Sequence, residues 1–250
     1  MLNSLQKAKL FHRLHTTTAP LILTNIWECG GASALEAVGA KAIATSSHSV
    51  AAFHGYSDGE LLPLNLAIDN LARIVKSVTM PVSFDMEGGY GVQPEEVAAT
   101  AKSVMNAGAV GINFEDQIIG QDGLYSIDMQ CDRIKAIRDM ADEQSIPLFI
   151  NARTDVFLKS GDSTIDTFSF DEALERCIAY EEAGASGFFV PGLQNIEAIS
   201  TLCEKSTLPI NVMIDFTASP NDLSISGVSR ISYGPHPYFQ FIEMIKNNIS

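Results

Sequence analysis

Short apolar runs alternate with longer amphipathic runs along most of this 250-residue chain. Most of the apolar runs are nearly continuous, which is typical of parallel strands that are buried on both faces. We predict eight strands, at residues 21–25, 41–47, 81–87, 111–116, 147–154, 187–191, 209–214 and 229–233.

The stretches between the predicted strands have the spacing of amphipathic helices. Residues 94–107 carry apolar side chains at intervals of three and four residues, which favours a helix with one buried face. Residues 170–183 have the same character, and we expect Ser169 to cap that helix, with Glu172 completing a capping box. Gly108 and Gly184 follow the two stretches and are typical of helix ends.

Eight strands that each precede a helical stretch, without a linker or a change in composition, predict one (β/α)₈ TIM barrel spanning residues 1–250. Two smaller domains would also fit this length. A doubly wound open sheet is the main alternative, but it usually carries a glycine-rich phosphate loop after its first strand. The first strand here is followed by Trp27-Glu28-Cys29-Gly30-Gly31, which does not have that pattern.

Composition and charge narrow the possible partners. Hydrophobic residues make up 46% of the chain and charged residues 18%, which suits a packed core. The net charge of −14 opposes binding to nucleic acid and to anionic lipid. It does not oppose an anionic substrate, because a metal ion and one or two arginines can reverse the field locally.

The sequence also predicts a soluble cytoplasmic protein. The first fifteen residues lack the apolar core of a secretory signal, and no apolar run approaches the roughly 18 residues that span a bilayer. The four cysteines are far apart and have no metal-finger spacing, so we expect reduced thiols: Cys29, Cys131, Cys177 and Cys203.

Acidic residues collect where two neighbouring predicted strands end. Asp85 and Glu87 end one strand, and two residues apart they would share one face of it. Glu115 and Asp116 end the next strand, and Asp58 lies in the loop after the second strand. Carboxylates so close together repel one another unless a cation joins them, and oxygen ligands suit Mg²⁺ or Mn²⁺. The alternative is that these acids cap helices or pair with arginines.

Several further residues at the strand ends are candidates for binding a substrate anion. Arg153 ends an apolar strand and could grip a carboxylate with two parallel hydrogen bonds, unless it forms an ion pair with Asp155 or Glu115. Ser46 and Ser47 could offer N–H groups and hydroxyls to the same anion. Polar groups at other strand ends include Asn211, and loop histidines that could act as acid or base are His48, His54 and His236.

These residues together resemble the isocitrate lyase/phosphoenolpyruvate mutase superfamily. The motifs that carry the resemblance are Asn25-Ile26-Trp27, Ser46-Ser47, Gly55-x-x-Asp58, Asp85-x-Glu87-x-Gly89-Tyr90-Gly91, Gly111-Ile112-Asn113-Phe114-Glu115-Asp116, Asn151-Ala152-Arg153-Thr154-Asp155, Phe189-Val190-Pro191-Gly192 and Arg230-Ile231-Ser232-x-Gly234. They extend from about residue 20 to residue 235, which is nearly the whole chain.

The resemblance implies a site as well as a fold. Mg²⁺ would be held directly by Asp85, with Asp58, Glu87 and Glu115 reaching it mainly through water. The substrate carboxylate would contact Arg153 and the backbone of Ser46 and Ser47, and we expect Trp27 and Asn211 to contribute to substrate binding. Catalytic roles are expected for Arg153, Asp58, Glu115 and His236. The shared chemistry is the making or breaking of a bond beside a metal-bound enolate.

Two departures from the family pattern leave the reaction open. Gly123 stands about where the lyases carry the cysteine of their mobile loop, Cys131 lies too far along to replace it, and Glu87 stands where aspartate is usual. The leading interpretation is a lyase or hydrolase that cleaves a C–C bond of a small α-keto or α-hydroxy dicarboxylate. The alternatives are oxaloacetate decarboxylase, a phosphonopyruvate-type mutase or hydrolase, and a non-catalytic α-keto acid binding protein.

The resemblance also implies an oligomer, a dimer or commonly a tetramer, in which the eighth helix packs on a neighbouring subunit. The sequence agrees with this, because residues 238–248 carry an apolar stripe at helical spacing formed by Phe239, Phe241, Ile242 and Ile245.

Overall fold

The computed structural model describes residues 2–16, 18–159, 167–217, 220 and 227–248. Its sheet consists of parallel strands in the order β1-β9-β8-β7-β6-β5-β4-β3-β2. The strands are β1 (Leu21–Leu23), β2 (Asn25–Ile26), β3 (Ile43–Thr45), β4 (Val82–Asp85), β5 (Gly111–Glu115), β6 (Phe149–Arg153), β7 (Gly187–Phe189), β8 (Ile210–Met213) and β9 (Arg230–Ser232).

The two outer strands of that order join to close the sheet. β1 pairs with β9 and β2 pairs with β3, and only Thr24 separates β1 from β2 along the chain. The first predicted strand therefore bends at Thr24 and contributes one half to each end of the sheet. The sheet is a barrel, as the sequence pattern predicted.

One helix precedes the first strand, and the other described helices follow strands and lie around the barrel. They are α1 (Ser4–Leu14), α2 (Cys29–Ala37), α3 (Ser47–Phe53), α4 (Leu64–Ser77), α5 (Pro94–Asn106), α6 (Ile127–Glu143), α7 (Val156–Lys159), α8 (Thr167–Glu182), α9 (Ile196–Lys205) and α10 (His236–Asn247). The apolar stripe predicted in residues 94–107 is buried in α5, where Val97, Ala101 and Val104 have no exposed surface.

Some predicted boundaries are wrong. Ser169 does not cap a helix, because α8 begins at Thr167 and Ser169 is a buried residue within it. Most strands end one or two residues before the predicted limit, because the residues just beyond them already belong to loops. Gly108 and Gly184 have φ of 102° and 103°, so both predicted helix ends have the left-handed backbone that favours glycine.

The amino-terminal end of the barrel is closed by α1. Phe11 is fully buried, and its ring lies edge-on to the ring of Phe149 with their centroids 5.3 Å apart. The Phe149 ring also stacks on His15, at 4.0 Å. Gly111 makes this packing possible, because a Cβ atom there would lie 2.6 Å from the Phe11 ring. The opposite end, where the strands end, is lined by cavities.

No helix within the described parts of the chain is long and apolar enough to cross a membrane. The four cysteines are free thiols, and each lies in a helix.

Candidate functional site

Two adjoining cavities open at the carboxyl ends of the strands. We call the first the mixed cavity, because both polar and apolar residues line it, and it has a volume of about 190 Å³. Its lining consists of Asn25, Ser46, Ser47, His48, Asp58, Asp85, Asn113, Arg153, Leu158, Phe189, Pro191, Met213, Ser232, Gly234 and Pro235. The acidic cavity, of about 250 Å³, is lined by Ser47, Asp58, Gly59, Glu87, Glu115, Gln117, Ile119 and Arg153. Ser47, Asp58 and Arg153 belong to both cavities, so the two form one composite site.

Asp85 ends β4 and lines the mixed cavity. Its Oδ2 accepts a hydrogen bond from the N–H of Ser47 at 3.0 Å, whereas its Oδ1 is buried without any hydrogen-bond partner. Burial raises the pKa of Asp85, and the Arg153 guanidinium opposes that rise. A buried carboxylate oxygen without a partner is costly, and here it is free to bind a cation.

Glu87 lies beyond β4, in the loop that follows it. Its φ of 52° breaks the extended backbone, so the expectation that Asp85 and Glu87 share one face of a strand is wrong. Glu87 Oε2 instead accepts hydrogen bonds from the N–H groups of Gly59 and Glu60, at 2.8 and 2.7 Å. Glu87 therefore fastens the loop that carries Asp58.

Glu60 also joins the loop that carries Asp58 to the loop that carries Glu87, this time with the acceptor in the Asp58 loop. Its Oε1 accepts a hydrogen bond from the N–H of Tyr90 at 2.7 Å, and the Tyr90 hydroxyl donates to Glu87 Oε1 at 3.3 Å. Glu60, Glu87 and Tyr90 all have positive φ, which is rare for residues with side chains. Backbone of this kind collects at functional sites, where surrounding contacts hold it in place.

Glu115 and Arg153 form an ion pair between the ends of β5 and β6. Arg153 Nη1 lies 2.7 Å from Glu115 Oε2, and its Nε and Nη2 donate to the two oxygens of Asp155 at 2.6 and 2.8 Å. Burial raises the pKa of Glu115 well above its usual range, and Arg153 opposes that rise. The predicted alternative of a structural ion pair for Arg153 is thus present, yet Arg153 also lines both cavities.

Asp116 does not join the acid cluster, and the expectation that it reaches the same rim is wrong. Its Oδ2 accepts hydrogen bonds from Arg176 at 3.1 Å and from the Tyr180 hydroxyl at 2.7 Å, both on α8. Asp116 Oδ1 accepts the N–H of Asp155. The side chain is fully buried and its oxygens are occupied, so Asp116 ties α8 to the barrel.

The two predicted serines differ in what they offer to a ligand. Ser46 caps α3 and its hydroxyl oxygen accepts from the N–H of Ser49, while its own N–H donates to the carbonyl of Ile26. Ser47 uses its N–H on Asp85. Both serines line the mixed cavity. Their backbone N–H groups are bonded within the protein, and the Ser46 hydroxyl also accepts from the Ser49 hydroxyl at 3.1 Å.

Asp58 is 42% exposed at the rim, and His48 Nδ1 lies 3.7 Å from its Oδ2. His54 follows α3, outside the residues that line the two cavities.

Three other predicted residues do not line either cavity. Trp27 packs against Tyr238 and Phe241 of α10, with ring centroids 5.1 and 5.6 Å away. Asn211 is buried in β8, where its Oδ1 accepts from the Ser232 hydroxyl. His236 begins α10, directly after Gly234 and Pro235 of the mixed cavity.

The sequence motifs contain several polar residues of the barrel interior to which sequence reasoning gave no role. Asn113 Oδ1 accepts hydrogen bonds from Asn151 at 2.7 Å and from Arg230 Nη2 at 3.2 Å. Arg230 is fully buried, and burial lowers its pKa to about 9 while Asp85 opposes that fall. The signal for these residues was a polar side chain inside an apolar strand, which occurs in β5, β6 and β9.

The charge balance of the site fits a divalent cation. Asp58, Asp85, Glu87 and Glu115 face Arg153, and burial followed by the neighbouring Asp58 raises the pKa of Glu87 to about 7. In the described residues, no three acid, histidine or cysteine side chains already converge as around a bound ion. The unpartnered Asp85 Oδ1 and the oxygen-only donor set nevertheless suit Mg²⁺ or Mn²⁺.

The fold and the acid-lined mouth define an α/β-barrel enzyme whose site lies at the carboxyl ends of the strands. The sequence profile of the phosphoenolpyruvate phosphomutase family matches residues 11–250. The chain therefore belongs to that family, within the isocitrate lyase/phosphoenolpyruvate mutase superfamily of carbon–carbon lyases and mutases, as the resemblance predicted.

Three similar proteins illustrate the range of this group. A "putative phosphonomutase" of Burkholderia cenocepacia J2315 is 41% identical, with a TM-score of 0.95 over 99% of this chain and 98% of that one. The 2-methylisocitrate lyase of Escherichia coli is 29% identical, over 85% of this chain and 71% of that protein. Phosphonopyruvate hydrolase, solved with oxalate and Mg²⁺, has the same fold at 20% identity, with a TM-score of 0.82 over 96% and 84% of the chains.

Proposed function

We propose that the composite site binds Mg²⁺ or Mn²⁺ and cleaves a C–C bond of a small α-keto or α-hydroxy carboxylate, as a lyase or a hydrolase. The observation that carries this proposal is the unpartnered Oδ1 of Asp85, in a mouth where acids outnumber the arginine that faces them. The small volume of the mixed cavity, about 190 Å³, favours a substrate of few atoms.

The proposed metal ligands are Asp85 directly, and Asp58, Glu87 and Glu115 mainly through water. Mg²⁺ would supply positive charge that stabilises the negative oxygen developing on the substrate as the bond breaks. Glu87 also has a structural role, because the hydrogen bonds that it accepts from the N–H groups of Gly59 and Glu60 hold the Asp58 loop beside the acidic cavity.

Arg153 is the proposed anchor for the substrate carboxylate. Its guanidinium lies between Glu115 and Asp155, which fix its orientation, and its remaining exposed part, 19% of the side chain, faces the cavities. Ser46 and Ser47 border the same space. We retain Trp27 and Asn211 as proposed substrate-binding residues, and Asn211 is joined to the cavity lining by the hydrogen bond that it accepts from Ser232.

Proton transfer is assigned to Asp58 or Glu115, with His236 as a further candidate. Asp58 is half exposed beside His48 and can exchange protons with solvent. The loop after β5 offers no cysteine, and Gly123 there has a φ of 136°, a conformation that favours glycine. Cleavage of isocitrate or methylisocitrate would therefore lack the acid that the lyases use.

Calorimetric titration with oxalate tests this proposal. Oxalate is planar and can chelate a metal through two oxygens, so we expect it to bind with Mg²⁺ and not in excess chelator. Arg153→Ala should weaken binding by about 2–5 kcal/mol, because it leaves a buried charge unpaired. Arg73→Ala, which removes an exposed arginine of α4, is the matched control and should bind normally. Unchanged affinity in Arg153→Ala would show that the anion site is elsewhere.

We further propose a dimer or tetramer in which α10, the eighth helix of the barrel, packs on a neighbouring subunit. No residue of α10 is buried, and Phe239, Phe241, Met244 and Ile245 are each 39–55% exposed. A monodisperse monomer by light scattering at micromolar concentration would refute this.

The free cysteines support the expected cytoplasmic location, where thiols stay reduced.

A further inference from the structure

The mixed cavity has two chemically different walls. Its polar wall comes from the ends of β3, β4 and β5 and includes Ser46, Ser47, Asp85 and Asn113. Its apolar wall comes from the next strands round the barrel and is formed by Leu158 after β6, Phe189 and Pro191 at β7, and Met213 of β8.

Arg153 stands at the boundary between the walls. The register of β6 and β7 places Arg153 beside Phe189, and the guanidinium carbon lies 6.0 Å from the centre of the Phe189 ring. Phe189 is only 4% exposed, so its ring is fixed in place. A ligand whose carboxylate contacts Arg153 and whose keto oxygen points to the acids would therefore direct its remaining atoms along the apolar wall.

The apolar wall has no cation for a second anionic group. Arg153 is the one lysine or arginine among the described residues that line the mixed cavity, and it already pairs with Glu115 and Asp155. Lys159 follows Leu158 but lies 4.0 Å from Asp122, and Arg230 is fully buried. Residues 160–166 and 218–226 contain no lysine, arginine or histidine, so none can come from there.

We infer that this site prefers an α-keto or α-hydroxy acid with one carboxylate and an apolar substituent over a dicarboxylate or a phosphonate. This inference rests on the proposed function, and it narrows its substrate class. A second anion against Leu158, Phe189, Pro191 and Met213 would lose its water without gaining a partner. An alkyl group there exchanges water for apolar contacts.

Two inert ligands with the same head group test the preference. N-oxalylglycine and N-isobutyloxamate share the oxamate head, and they differ in that the first ends in a carboxylate and the second in two methyl groups. In calorimetric titrations with Mg²⁺, N-isobutyloxamate should bind more tightly by about 10- to 200-fold, the usual effect of a well-placed apolar group. Equal or tighter binding of N-oxalylglycine would overturn the inference.

A variant with a positive charge in the apolar wall tests directly whether this wall sets the ligand preference. Leu158 is 46% exposed in the short helix α7, so Leu158→Arg can fold, which circular dichroism would verify. It should reverse the preference in favour of N-oxalylglycine. Val38→Arg adds the same charge at a residue 81% exposed beside α2 and should leave the ratio unchanged. An unchanged ratio in Leu158→Arg would overturn the assignment of this wall.

Oxalate separates the two possible failures, because it has no substituent to reach the apolar wall. If oxalate binds with Mg²⁺ while N-oxalylglycine outcompetes N-isobutyloxamate, the substrate class is wrong, whereas the metal and anion site of the proposed function stands. If oxalate does not bind in the presence of Mg²⁺, both the proposed function and this inference are overturned.

Discussion

The two ends of the barrel differ in the charge of the polar groups that they bury. At the amino-terminal end, α1 fills the opening with Phe11, and burial lowers the pKa of His15, whose ring stacks on Phe149. His15 Nδ1 is hydrogen-bonded to the carbonyl of Phe11, and its Nε2 is buried without a partner. At the carboxyl end, Asp85 keeps one oxygen without a partner, and strained backbone runs through Glu87. The amino-terminal end is filled by a helix, whereas the carboxyl end keeps a buried carboxylate oxygen without a partner, which the proposed cation would bind.

The difference teaches how to separate structural acids from functional acids. Asp116 also follows a strand, but Arg176 and Tyr180 satisfy it, and it no longer needs a ligand. Asp85 has Ser47 on one oxygen only. If the proposed function is correct, a buried acid whose hydrogen-bond partners are incomplete is a better marker of function than an acid's position at a strand end.

The largest expected effect is a loss of metal-dependent ligand binding at the carboxyl end of the barrel. Asp85→Asn should weaken Mg²⁺-dependent oxalate binding by more than about 100-fold, since it replaces the proposed direct metal ligand, and losses of even supporting groups reach that size. The free energy of unfolding should not fall, because burial raises the pKa of Asp85 and so disfavours its charged form in the folded protein. Urea unfolding and calorimetry measure the two effects.

Asp116→Asn is the matched comparison for Asp85→Asn. It breaks the buried pair with Arg176 and should destabilise the fold by about 3–5 kcal/mol. If both variants lost stability equally, the distinction between satisfied and unsatisfied acids would not hold.

The next largest expected effect is a loss of stability at the amino-terminal end of the barrel. Phe11→Ala removes a fully buried ring and leaves a cavity, so the free energy of unfolding should fall by about 3–5 kcal/mol. Oxalate affinity should stay the same in the folded protein, because Phe11 lies at the opposite end from Asp85. Val38→Ala, at an exposed residue, is the control for stability. A large loss of oxalate affinity in Phe11→Ala would show that the two ends are coupled.

Much of this fold could be predicted because its strands are buried on both faces. Near-continuous apolar runs located every strand, and helical spacing located α5 and α8. The role of Glu87 could not be predicted in this way, because alternation along a strand applies only while the backbone is extended, and β4 ends two residues earlier.

The structural role of Asp116 could not be predicted from the local sequence pattern either. Its partners Arg176 and Tyr180 lie about sixty residues further along, on α8, and only the packing of that helix brings them to β5. The apolar wall of the mixed cavity was hidden for a similar reason: Leu158, Phe189 and Met213 look like ordinary core residues until three strands place them together.

The smallest predicted effect concerns pH and the closed end. Burial, with help from Arg230 and His12, lowers the pKa of His15 to about 3, against about 6.5 when unfolded. Between these values the unfolded chain binds a proton that the folded protein does not, so stability is present above pH 6.5 and is lost as pH falls. From pH 7 to pH 5, His15 should cost about 1–2 kcal/mol. His15→Gln cannot titrate, so its loss of stability over that range, measured by urea unfolding, should be smaller by that amount. An identical pH dependence in the variant would mean that His15 is protonated in the folded barrel beside Arg230.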